Sequence, residues 1–96
     1  MGGHMQEEGK EIEISYGPVD APESLYRVDT WRPDYRDAPP VTLMLEDPKP
    51  LIAGHVIRTR CVWQNGRDHT LEFPEEMCAA FGYVAGTKDP ILCSVD

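Results

Sequence analysis

Proline and glycine interrupt this chain too often for long helices. Nine prolines and eight glycines fall among 96 residues. Proline lacks the amide hydrogen that a helix interior or a central strand needs, and both residues mark turns. The pattern excludes a helical bundle and suits short strands joined by many turns. At roughly 100–200 residues per domain the length admits one small domain, and 41% hydrophobic residues supply a core for it.

Met1-Gly2-Gly3-His4-Met5 reads as a vector-derived start, which leaves residues 6–96 as a single domain and His55 and His69 as its histidines. From Glu11 to Tyr16 the residues alternate, with Ile12, Ile14 and Tyr16 on one face and Glu11, Glu13 and Ser15 on the other. Period two over six residues predicts a half-buried strand, ended by Gly17-Pro18. Further strands are predicted over 25–31, 41–45, 55–63 and 91–95, where β-branched and aromatic residues concentrate between turns. Ala53-Gly54 predicts a turn. Asn65-Gly66 predicts a hairpin, because a type I′ turn needs positive φ at both central residues, with Asp68 to Phe73 returning as the partner strand. Met77 to Val84 reads as helix by its first residues and as strand by Phe81, Tyr83 and Val84. These elements sum to an all-β fold: a small antiparallel two-sheet β-sandwich, jelly-roll-like, of about seven or eight short strands.

Charge narrows the partners. A formal charge of −8 argues against nucleic acid and against anionic membrane surfaces, since both need clustered Lys and Arg. No apolar run approaches the roughly 18 residues that span a bilayer, so no membrane insertion is expected.

The cysteines stand at 61, 78 and 93, and their spacing matches no zinc motif. Two readings fit them: three buried thiols of a cytosolic domain, or one disulfide with one thiol left over. Cys61 on the outgoing arm of the predicted hairpin and Cys78 just past its return arm are placed for a bridge, worth about 3 kcal/mol in the chain-entropy model.

Gly54-His-Val-Ile-Arg-Thr-Arg-Cys61-Val-Trp-Gln-Asn65-Gly, followed by Phe73 and Glu75-Glu-Met-Cys78, resembles the C-terminal domain of the copper type II, ascorbate-dependent monooxygenases, the family of peptidylglycine α-hydroxylating and dopamine β-monooxygenases. The resemblance covers about residues 35–95. It implies a Cys61–Cys78 disulfide, a free thiol at Cys93, an oxidising extracellular or periplasmic location, and Met77 as the equivalent of a copper-ligating methionine. The family's copper also takes two histidines from a His-x-His strand about 50 residues before the first of these cysteines. By that count Ile12-Glu13-Ile14 stands where the histidines belong.

A lone thioether is a soft, weak ligand that needs imidazoles beside it. His69, eight residues before Met77, is the candidate partner; His55 reads as an exposed turn residue. The expectation is a non-catalytic extracytoplasmic module, used for binding or structure, with no cofactor and with other domains of a larger secreted protein as partners. The alternatives are a copper-binding protein using Met77 with His69, and a fragment of a copper-dependent monooxygenase completed by other domains. A free Cys93 also permits a homodimer.

Other groupings carry less. Asp34, Asp37, Glu46 and Asp47 fit no calcium loop and read as a solvated rim. Glu75 and Glu76 are adjacent and so point apart on an extended chain, which disfavours a shared acid–base role. Trp31, Tyr35 and Trp63 could form an aromatic binding platform, but two or three of them are read as core.

Overall fold

A computed structural model describes residues 1–93 of the chain. They form five strands: β1 (Gly2–Met5), β2 (Gly9–Gly17), β3 (Glu23–Val28), β4 (Val56–Trp63) and β5 (Cys78–Phe81), with a short 3-10 turn at Pro33–Arg36 and no α-helix among the described residues. The strands make two antiparallel sheets, one of order β3-β2-β4 and one pairing β1 with β5.

The alternation of β2 builds the core. Ile12, Ile14 and Tyr16 all turn inward, and the register sets Ile12 between Val28 and Cys61 and Ile14 between Tyr26 and Thr59. Between Ile14 and Ser15 the register with β3 skips Leu25, and Ser15 is buried as well. Such a bulge places two residues of one strand against one of its partner. Met5, Ile12, Ile14, Tyr26 and Trp31 form the buried cluster, with Met1, Val28, Tyr35 and Cys61 packed against it.

Residues 1–5 belong to this core. Met5 is completely buried, and a Cβ on Gly3 would stand 2.5 Å from Ile12 Cδ1. Glycine is what lets β1 approach the three-stranded sheet so closely. A tight turn closed by Gly9 N–H to the Gln6 carbonyl (3.3 Å) then leads from β1 into β2. Leaving these residues out of the fold, as their vector-like appearance suggests, misses one of its strands.

The disulfide Cys61–Cys78 is present, with Cα atoms 6.2 Å apart. It joins β4 of one sheet to β5 of the other. Cys93 is unpaired and exposed.

Among the described residues five strands replace the expected seven or eight. Val41–Leu45 contributes only a bridge between Val41 and Gly2, backed by hydrogen bonds between Met1 and Thr42 (2.8 and 2.9 Å), while Leu43 and Leu45 lie exposed. The hairpin at Asn65-Gly66 does not form. Neither residue has positive φ, and the Asn65 side chain instead accepts from Arg67 N–H (2.8 Å) and donates to the His69 carbonyl (2.8 Å). Asparagine bonding its own backbone two residues on makes an Asx-turn, so 64–77 is a loop and Asp68–Phe73 is not a strand. The turn at Ala53-Gly54 forms as expected, with Gly54 at φ +88. Of the last expected strand, 91–93 are irregular and 94–95 lie outside the described residues. Met77 to Val84 resolves as strand β5 over its middle.

Candidate functional site

Met77 and the Cys61–Cys78 disulfide lie at the end of the two-stranded sheet, where β1 runs into the Gln6–Gly9 turn and the 64–77 loop enters β5. The β1–β5 register pairs Gly2 with Phe81, His4 with Ala79 and Met5 with Cys78. Side chains alternate along a strand. Gly3 and Met5 therefore face the core, while Gly2, His4 and, one residue past the strand, Gln6 share the outer face.

Glu76 organises this end. One carboxylate oxygen accepts from Gln6 N–H (2.8 Å), the Trp63 indole N–H (2.9 Å) and Met77 N–H (3.3 Å); the other accepts from Glu8 N–H (3.0 Å). Four donors from the β1–β2 turn, the end of β4 and the start of β5 thus converge on one charged acceptor, the stronger kind of hydrogen bond. Glu75 points elsewhere, to His69. The two glutamates do not face a common substrate position.

Met77 is half-buried, and its sulfur accepts a hydrogen bond from the Gln6 carboxamide at 3.5 Å. His69 does not approach it. The His69 ring lies between Asp68 (Nδ1, 3.0 Å) and Glu75 (Nε2, 2.7 Å). Hydrogen bonding to the Glu75 carboxylate, and then to that of Asp68, raises its pKa above the ordinary histidine value. A carboxylate faces each ring nitrogen, which favours the protonated ring over the neutral lone-pair donor a metal requires. Met77 lines a hollow of about 470 Å³ with Trp63, Leu71 and Phe73; His69 lines a separate one with Glu7, Arg36 and Arg67. The expected Met77–His69 pair is not formed.

Nor do Ile12 and Ile14 stand beside Met77. Both are buried in the core, and the residue that meets the thioether is Gln6, 55 positions before Cys61. Copper, the cofactor of the alternative readings, would meet these side chains. This end offers one imidazole (His4), one carboxamide already bonded to sulfur (Gln6) and one thioether (Met77). Copper sites of this softness need imidazole nitrogen beside the thioether, and a neutral amide is a poor replacement, so the set does not fit. No group of three or more His, Cys, Asp or Glu able to hold a metal occurs among the described residues.

The rest of the neighbourhood is held by surface charge. Arg67 pairs with Glu8 (2.9 Å) and Glu7 (3.3 Å), and Arg36 with Glu7 (3.0 Å). A hydrogen bond from Gly66 N–H, and then Arg67, lowers the pKa of Glu8. Trp31 is core, at 4% exposure, with Tyr35 edge-on against it. Trp63 is not; it stands 43% exposed, because its indole is turned to Glu76 at the sheet's rim. His55 is not a free turn residue either: it is half-buried, its ring packs on Tyr16 with centroids 5.5 Å apart, and its Nδ1 is buried without a partner. The Tyr16 hydroxyl in turn ties down the preceding loop, donating to the Pro50 carbonyl and accepting from Ile52 N–H.

Gln6, His4 and the hub role of Glu76 were not singled out by the sequence reading. The signal was present in the alternation of Gly3 and Met5 with His4 and Gln6, which the vector-like appearance of the segment hid.

Beyond this end, two apolar side chains beside Gly2 are exposed to solvent. Val41 and Phe81 flank Gly2, where a Cβ would stand 3.1 and 2.7 Å from them, and they remain 56% and 47% exposed. Leu43, Leu45, Tyr83 and Leu92 are exposed as well.

No family model, curated protein or solved structure matches the chain. No helix among the described residues is long and apolar enough to cross a membrane.

Proposed function

We propose that this chain is a non-catalytic, extracytoplasmic β-sandwich module related to the C-terminal domain of the copper-dependent monooxygenases, and that it serves as a docking domain for another domain of a larger secreted or periplasmic protein. One observation carries this reading: at the Gly2 end of β1–β5 apolar Val41 and Phe81 stand 56% and 47% exposed, while at the opposite end the residue that engages Met77 is Gln6, not an imidazole. Monomeric proteins seldom leave contiguous apolar surface uncovered. The packing of β1 onto β2 through Gly3 and Ile12 supports the sandwich, and the intramolecular disulfide suits an oxidising compartment. A chain of net charge −8 repels its own copies, which favours a different partner over a homodimer through Cys93.

Thermal melting with copper(I) under ascorbate, and after exhaustive chelation, tests the metal-free half of the proposal. The expected melting temperature is the same in both, because a ligand that binds the native state must raise it. A rise with copper would instead support the copper-binding alternative. Hydrogen exchange at β1 and β5 tests docking: the two strands should be slower to exchange in a longer natural chain than in the isolated module.

A further inference from the structure

Three side chains of metal-binding reach lie at this end, His4 on the outer face of β1, Gln6 just past the strand and Met77 on the opposing segment, and of these only the Gln6 carboxamide is unsuited to copper. His4 and Gln6 lie two positions apart on the same side of the extended chain, and Met77 approaches Gln6 from the opposing segment at 3.5 Å. His4 stands opposite Ala79, whose methyl group leaves room at that position. The backbone around Gln6 is fixed independently of its side chain: its N–H is bonded to Glu76 (2.8 Å) and its carbonyl accepts from Gly9 N–H. A different side chain at position 6 would therefore start from the same place and aim at the same sulfur.

We infer that Gln6 is the single residue that closes this face to copper: its carboxamide stands where a second imidazole would complete a two-nitrogen, one-sulfur site with His4 and Met77. The physical reason is ligand chemistry. Copper(I) takes imidazole nitrogen and thioether sulfur readily, whereas a carboxamide is a weak donor to it and here spends its N–H on the sulfur. An imidazole reaches about as far from its Cα as a carboxamide, so Gln6→His exchanges a hydrogen bond to sulfur for a ligand beside it. This deepens the metal-free reading given above and rests on it in one respect, that the natural residue at position 6 leaves the face without copper.

The experiment compares the natural chain, Gln6→His and Gln6→His/Met77→Ala in competition for copper(I) against bicinchoninate. Ascorbate serves as reductant, and a pH above 7.5 keeps imidazoles neutral. Copper(I) avoids the deprotonated backbone amides that copper(II) recruits. Gln6→His should bind one equivalent at least about 100-fold more tightly than the natural chain, since even outer-shell partners move metal affinity 10–100-fold. X-ray absorption should show a copper–sulfur shell that disappears with Met77→Ala. A folded Gln6→His that binds no better than the natural chain, with both weak, overturns the inference and leaves the proposed function standing. Tight binding by the natural chain overturns both. Should Gln6→His fail to fold, Gln6→Met puts a second soft donor at the same position and keeps His4 and Met77; a folded Gln6→Met with no gain in copper(I) affinity overturns the inference equally.

Discussion

Glu76 accepts the backbone N–H of Gln6 at 2.8 Å across 70 residues of sequence. That contact fixes where β1 ends relative to where β5 begins, and Trp63, Glu8 and Met77 donate to the same carboxylate. The end of the molecule that carries the candidate site is therefore tied together by a charged acceptor beside the hollow that Trp63, Leu71, Phe73 and Met77 line.

Removing that acceptor should cost more than removing its neighbour. In Glu76→Ala the four donors lose their partner at once, and leaving part-buried donors unpaired costs about 1–3 kcal/mol. Glu75→Ala frees only an exposed histidine and should change stability by less than about 0.5 kcal/mol. Urea unfolding of the two variants provides the comparison, and equal losses would contradict the hub role of Glu76.

The disulfide closes a loop of sequence separation 17 and joins the two sheets. In the chain-entropy model a loop near this size contributes about 3 kcal/mol. Cys61→Ser/Cys78→Ser in a Cys93→Ser background should lose roughly that much in chemical denaturation, whereas Cys93→Ser alone should lose almost nothing, its thiol being exposed and unpaired.

His69 predicts a pH dependence with a definite sign. Glu75 and Asp68 raise its pKa in the folded chain, so just above the ordinary value of about 6.5 the folded state holds a proton that the unfolded state has released. The stabilisation is complete below about pH 6.5 and is lost as pH rises through the raised value. Asp68, its pKa lowered chiefly by His69, contributes above the ordinary carboxylate range and loses that contribution in acid. The cluster is thus intact between about pH 4 and 6.5. The His69 ring resonance in an NMR titration should show a midpoint above 6.5, and the stability gap between the natural chain and His69→Gln should narrow as pH rises.

How much of this was legible depended on whether the deciding interaction was local. The alternation of Ile12, Ile14 and Tyr16 predicted β2 because a strand's burial is written in its own period, and Ala53-Gly54 announced a turn because only the local backbone decides it. Asn65-Gly66 misled: the same dipeptide serves a type I′ hairpin or an Asx-turn, and the choice was made by Glu8, which accepts from Gly66 N–H and holds Arg67. Val41–Leu45 had strand composition, but whether a segment pairs depends on a free neighbouring edge, and only Gly2 supplied one. The pairing of Cys61 with Cys78 followed from a resemblance and is present in the structure. The contact of Gln6 with Met77 had no sequence signal of comparable strength, since it spans the chain and involves two neutral side chains.

The closeness of β1 to the three-stranded sheet yields a prediction that tests both the strand and its register. A methyl group on Gly3 would lie 2.5 Å from Ile12 Cδ1 and 3.2 Å from Ile12 Cγ1 and Tyr26 Cε1, contacts that packed atoms do not tolerate without rearrangement. Gly3→Ala should therefore destabilise by about 1–3 kcal/mol, the usual cost of overpacking, although alanine normally favours extended backbone over glycine. Ile12→Val deletes the clashing Cδ1 and by itself should cost about 0.5–1.5 kcal/mol. If the clash with Ile12 is the cause, the double variant should be more stable than the sum of the single losses predicts, with a coupling of at least about 0.5 kcal/mol. Strict additivity in denaturant unfolding would mean that β1 does not lie against Ile12 as described. A Gly3→Ala chain as stable as the natural one would mean that residues 1–5 are outside the fold after all.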